Sequence, residues 1–193
     1  MSRPRETELV VVGASAGAVD ALGELLPALP ADARVPFVVV VHVPPSKPSL
    51  LVDLFSSKCA LAVRQPFDKQ PIEPGVWIAA PDYHLLVERD RTFAVSIDEP
   101  VNYSRPSIDV LFESAAVVYG RALAAVVLTG ASRDGAAGAR KVRAEGGLVL
   151  VQDPSEAEVD VMPRAAIEES TPELVAPLAQ LAQALRDISR GRP

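Results

Sequence analysis

The chain has 193 residues, 49% of them hydrophobic, which is enough apolar content for one sizeable core. A net charge of −6 without any basic stripe argues against nucleic acid as a partner. No apolar run approaches the roughly twenty residues of a membrane span, no secretion signal opens the chain, and the single cysteine, Cys59, excludes an internal disulfide and suits a reducing cytoplasm.

Residues 1–7 are polar and charged and, with residues 190–193, read as flexible ends. Residues 9–12 are apolar and β-branched, the pattern of a first strand. Residues 19–29 then show helical spacing at Val19, Leu22, Leu25, Leu26 and Leu29. Residues 37–41 form a second strand apolar at every position, as in a parallel sheet covered on both faces, and His42 stands at its end. A second helix begins at residues 49–55, and Cys59 after it reads as a small buried hydrophobe. Residues 75–79, 84–87 and 92–96 look like short strands, the last two joined by the charged turn 88–91 as an antiparallel hairpin. Ser107 caps an apolar helix that runs to about Tyr119, with Asp109 in its first turn. The alternation resumes with strand 122–128 and helix 136–145, ended by Gly146-Gly147. Strand 148–151, a loop through Asp153-Pro154, a short helix after Pro163 and a last helix 177–188 complete the chain. The expected fold is a single α/β domain over residues 1–193, three-layered and doubly wound. Its sheet is mainly parallel, with a small antiparallel hairpin added.

Ligands of such sheets bind beyond the carboxyl ends of the strands. Three polar groups fall there: Ser15 within Gly13-Ala14-Ser15-Ala16-Gly17, His42, and Asp134 within Gly130-Ala131-Ser132-Arg133-Asp134-Gly135. A serine hydroxyl needs a histidine to take its proton, and the imidazole needs a carboxylate to fix its tautomer. The order Ser, His, Asp disfavours the α/β-hydrolase fold, where the order is Ser, Asp, His. A nucleotide-binding loop is the rival reading. However, the G-x-G-x-x-G fingerprint fails at Ser15, the second strand ends in His42 rather than an acid, and no Walker lysine is present. On spacing alone a serine hydrolase, a phosphate binder and a non-catalytic fold all stay open. Ser15 and Asp134-Gly135 would equally serve as helix caps, His42 as a hydrogen-bonded loop residue, and His84 as a structural residue on its hairpin strand. No zinc-ligand spacing occurs, so neither metal nor cofactor is expected.

Read together, these loops resemble the catalytic domain of the bacterial chemotaxis protein-glutamate methylesterase family, CheB. The likeness spans residues 9–169. It rests on Gly13-Ala14-Ser15-Ala16-Gly17, on Val41-His42-Val43-Pro44, and on the run from Gly75-Val76-Trp77 to Asp82-Tyr83-His84-Leu85. It continues in Arg105-Pro106-Ser107-Ile108-Asp109, Leu128-Thr129-Gly130 with Asp134-Gly135, Gln152-Asp153-Pro154 and Met162-Pro163-Arg164. The resemblance implies a cytoplasmic, cofactor-free hydrolase that cleaves γ-glutamyl methyl esters on chemoreceptor helices. Glutamine deamidation would follow through the same acyl intermediate.

By position it makes Ser15 the nucleophile, His42 the base and Asp134 its carboxylate partner, with backbone donors at Ala16, Gly17 and Ala131. Arg105, ahead of a helix, is the candidate contact to an acidic receptor surface. Ala16 stands where the family has threonine, and Ala131-Ser132 where it has Met-Gly. A weakened, CheB-like binding or regulatory module is the alternative. Family members commonly carry a receiver domain before this one. With seven residues ahead of the first strand, the expectation is a stand-alone domain controlled, if at all, by a regulatory partner protein.

Overall fold

A computed structural model describes residues 6–43 and 50–190. Of the ends expected to be flexible, residues 1–5 and 191–193 lie outside the described residues, as do Pro44 and the start of the second helix at Ser49, whereas Thr7 is buried. Nine strands and six helices are placed: β1 (Leu9–Ala14), α1 (Ala18–Leu25), β2 (Phe37–Val41), α2 (Leu51–Ser56), β3 (Val63–Arg64), β4 (Val76–Ile78), β5 (His84–Val87), β6 (Phe93–Ser96), α3 (Ile108–Tyr119), β7 (Leu123–Val127), α4 (Ala136–Ala144), β8 (Leu148–Gln152), α5 (Val161–Ser170), β9 (Leu174–Ala176) and α6 (Leu178–Ser189). A 3₁₀ turn, Gly120–Ala122, leads into β7.

Seven strands form one parallel sheet in the order β3-β4-β2-β1-β7-β8-β9, while β5 and β6 pair antiparallel beside it. Because successive strand side chains point to opposite faces, the all-apolar strands feed two cores. Val10, Val12 and Ala14 pack with α1 and α6 on one face. Leu9 and Val11 pack with α3, α4 and α5 on the other. Every residue of β1, β2 and β7 is buried, as the continuous apolar runs predicted.

The strand expected at residues 75–79 joins the parallel sheet against β2. Two details differ from the sequence reading. The first helix stops at Leu25, because Pro27 and Pro30 cannot extend it, although Leu29 still packs in the core. α5 starts ahead of Pro163, which occupies the first helical turn where no intrahelical donor is lost. The short strands β3 and β9 carry no pattern of their own and exist by pairing to β4 and β8.

Strand order also places the site. The chain winds outward from β1 through β2 to one side, then returns to lay β7 on the other side of β1. The crevice of a doubly wound sheet opens at that reversal. Gly13 lets α3 approach this point: a Cβ there would collide with Ile108 Cγ2, so the amino end of α3 rests directly on β1. Among the described residues no helix is long and apolar enough to cross a membrane.

Candidate active site

Ser15 follows β1 and lies between the ends of two neighbouring strands. The pairing of β1 with β2 runs to Ala14 opposite Val41, and the His42 N–H donates to the Ala14 carbonyl at 3.2 Å. Ser15 and His42 are thereby the next residues on adjacent strands, whose spacing is about 4.8 Å. On the other side the Ser15 N–H donates to the Thr129 carbonyl at 2.9 Å, beyond β7. Thr129 Oγ donates in turn to the Ala16 carbonyl at 2.8 Å, and its own N–H is held by Gln152 Oε1 at 2.8 Å. Gly17 caps α1. Ser15, Ala16 and Gly17 are half-buried, and Ala131 is exposed just after Gly130. A Cβ on Gly130 would stand 2.6 Å from Met162 Cε and 3.0 Å from Ser15 Cβ, so any side chain here must displace the methionine end and crowd the serine. Met162, contributed by α5, lies against Gly130, whose carbonyl accepts the Met162 N–H at 2.9 Å.

His42 Nε2 bonds Asp134 Oδ2 at 2.8 Å across 92 residues of sequence. The ring nitrogen left for Ser15 is Nδ1. Asp134 is fully buried, and its acceptors are filled. Oδ2 also accepts the Ile108 N–H at 2.6 Å, while Oδ1 accepts Ser107 Oγ at 2.8 Å, Asn102 Nδ2 at 2.9 Å and the Asp109 N–H at 3.2 Å. The carboxylate thus sits on the amino terminus of α3, where the helix dipole favours negative charge. Burial works against the charged form, but the hydrogen bonds from His42, Asn102, Ile108 and Ser107 outweigh it and hold Asp134 below its usual range.

A second buried carboxylate lies beside it. Asp109 Oδ1 accepts the N–H groups of Gly135 and Gly138, at 2.9 and 2.7 Å, at the start of α4. Its Oδ2 accepts from Asn102 Nδ2 at 2.8 Å, so one amide bridges both acids. The two helix starts cap each other: Asp134, two residues ahead of α4, accepts from the first N–H groups of α3, and Asp109 of α3 accepts from those of α4. Burial, reinforced by the Asp134 charge, pushes Asp109 up to about 6 against the hydrogen bonds that favour its ionised form. The sequence showed Ser107 and Asp109 only as local helix-start residues. Asn102 carried no signal beyond lying in a polar loop.

Arg105 is placed differently from its expected role. Its guanidinium donates to Asp82 Oδ1 at 2.7 and 3.0 Å and to the carbonyls of Ile97 and Asp98 at 2.9 and 3.1 Å. Four of its five N–H donors are thereby used inside the chain, bracing the 97–105 loop. His84 is a structural residue, 2% exposed, accepting the Ser107 N–H at Nδ1 and bonded through Nε2 to the Glu99 carbonyl. Cys59 is half-buried against the core, where burial pushes its thiol up.

Residues 10–185 match the family model described as CheB methylesterase. A protein of Leptospira interrogans named putative protein-glutamate methylesterase/protein-glutamine glutaminase is 44% identical over 177 residues, 91% of this chain and 92% of that one. The protein-glutamate methylesterase/protein-glutamine glutaminase of Nocardioides sp. is 41% identical over 96% of this chain, which spans 52% of that relative's length. The crystal structure of the Thermotoga maritima CheB methylesterase catalytic domain superposes with a TM-score of 0.90 at 33% identity, covering 94% of this chain and 98% of that one.

Proposed function

The chain belongs to the CheB methylesterase family, and from that membership and the cleft we infer that it is a serine hydrolase of γ-glutamyl methyl esters on chemoreceptor helices. The observation that carries the reading is the buried Asp134 bonded to His42 Nε2, with Ser15 on the adjacent strand end. In this reading residues 1–193 form one catalytic domain working in the cytoplasm.

Ser15 Oγ attacks the ester carbonyl carbon as His42 Nδ1 takes its proton. Asp134, kept ionised by its five hydrogen bonds, holds the ring orientation and stabilises the imidazolium. The oxyanion develops against the backbone N–H groups of the Ala16–Gly17 turn and of Ala131. These donors do not depend on side chain, so they survive the departures at positions 16 and 131. The proton passes from His42 to the leaving methoxide, releasing methanol and leaving a glutamyl ester on Ser15. Water, deprotonated by the same nitrogen, then releases glutamate. A glutamine side chain enters the same cycle and leaves ammonia. No step needs a metal or cofactor from the residues named.

Methanol release from methylated receptor fragments tests the reading, together with labelling by a fluorophosphonate probe. The wild type should turn over and label at Ser15. Ser15→Ala and His42→Ala should each lose several orders of magnitude in rate, and the double variant should be little worse than either. A folded wild type that neither labels nor releases methanol would instead favour a binding module built on the same fold.

A further inference from the structure

We propose that Asn102 and Asp109 are positioning residues of the triad: Asp109 anchors the Asn102 amide, and Asn102 holds Asp134 in place. The inference deepens the esterase reading above and rests on it for its kinetic consequences.

Asn102 and Tyr103 form the two-residue tip of a tight hairpin closed by the bridge between Val101 and Ser104. Both tip residues have positive φ, 52° and 61°, the conformation that such a turn demands and that asparagine tolerates better than most residues. This turn sends the Asn102 side chain inward, where one Nδ2 donates to two carboxylates, Asp134 Oδ1 at 2.9 Å and Asp109 Oδ2 at 2.8 Å. The two hydrogens of an amide nitrogen match two acceptors in fixed directions. Asp109 cannot shift, because its other oxygen is bound by the Gly135 and Gly138 N–H groups of α4. Asn102 is therefore oriented from the rear.

The consequence reaches His42. Asp134 has two oxygens, and only Oδ2 touches the imidazole. With Oδ1 tied to Asn102, Ser107 and the Asp109 N–H, the carboxylate cannot rotate to exchange them. The charged and titratable groups facing Asp134 are His42 from the end of β2 and Asp109 from α3. Asn102 is the neutral donor between the two acids. The two carboxylates repel, and the amide offsets part of that by donating to both. Arg105 holds the base of the same hairpin through Asp82 and the Ile97 and Asp98 carbonyls. Loop, amide and acid thus form one support.

The test uses the whole chain. Asn102→Gly removes the amide while glycine keeps the positive φ, so the turn survives. Two readouts apply: kcat and KM for methyl ester hydrolysis, and carboxyl ¹³C NMR titration of Asp134. Asn102→Gly should lower kcat about tenfold with KM within about twofold. It should also raise the Asp134 proton affinity several-fold, because a charge-assisted hydrogen bond is gone. Asp109→Asn should lower kcat too, since either orientation of the new amide sets an NH₂ against donors. Because Asp109 acts through Asn102, the double variant should be no slower than the slower single variant.

An unmoved Asp134 titration in folded Asn102→Gly, or losses in kcat that simply multiply, overturns the proposal. If the wild type shows no turnover, the titration still decides the hydrogen-bond network, and the failure falls on the esterase reading alone.

Discussion

Asp109 ties stability to pH in a direction opposite to that of most carboxylates. Its folded-state value is raised from 3.8 to about 6, first by burial and then by the Asp134 charge. The folded protein therefore binds a proton that the unfolded chain has already released between those values. Stability must fall as pH rises through that window. The full interval of about 2.2 pH units corresponds to roughly 3 kcal/mol for ionising Asp109 in place. Evaluated between about pH 4 and about pH 7, where the unfolded group is itself partly protonated, the change is roughly 2 kcal/mol, most of it below about pH 6. Asp134, shifted the other way, loses its contribution only below its ordinary range and so leaves this window alone. Urea unfolding of wild type and Asp109→Asn across the range isolates the effect, because groups not coupled to position 109 cancel in the difference. A constant offset from the mispaired amide is expected at every pH. The wild type should nevertheless lose roughly 2 kcal/mol relative to the variant on going from about pH 4 to about pH 7. A direct check is the Asp109 carboxyl ¹³C titration in the wild type, with a midpoint of about 6. A stability difference constant within about 0.5 kcal/mol over the range would refute the argument.

Gly130→Ala forces a methyl against Met162 and Ser15 Cβ. The flexible methionine end can yield, so the stability loss should stay within about 1–3 kcal/mol, while displacement of the serine should cost more than tenfold in kcat. Chemical denaturation and methanol release measure the two, and an unchanged kcat would remove the glycine from the account of the site. Asp134→Asn should lower kcat by about four orders of magnitude with little change in substrate binding, because the amide imposes the wrong imidazole tautomer. Arg105→Gln separates bracing from receptor contact: a loosened hairpin lowers kcat, whereas a lost docking contact raises KM at constant kcat. Ala16→Thr adds a hydroxyl beside the nucleophile and should raise kcat by up to about tenfold, roughly 1.4 kcal/mol. An equal or lower rate would show a loop adapted to alanine.

The parallel sheet was legible because β1, β2 and β7 are apolar at every residue, a pattern that only burial on both faces requires. The same runs lead into loops that carry Ser15, His42 and Asp134, which made these three the candidates, although the loop after β7 also offers Thr129, Ser132 and Arg133. Strand ends are local features, and ligand sites of this fold lie there for topological reasons. Local pattern fails where an element exists only by its partner. Val63–Arg64 is two residues of strand held by β4, and Leu174–Ala176 is an edge held by β8.

It fails again at the support of the triad. Asn102, Ser107 and Asp109 reach Asp134 from 25 to 32 residues away, through the docking of α3 onto β1 and α4. Arg105 looked free as a sequence and is spent on Asp82 and two carbonyls in the fold. The periodicity of apolar residues determined the elements and so the strand ends where the proposed site lies. The meeting of distant polar side chains was decided by strand order and helix docking. One amide between two buried acids has no period to announce it.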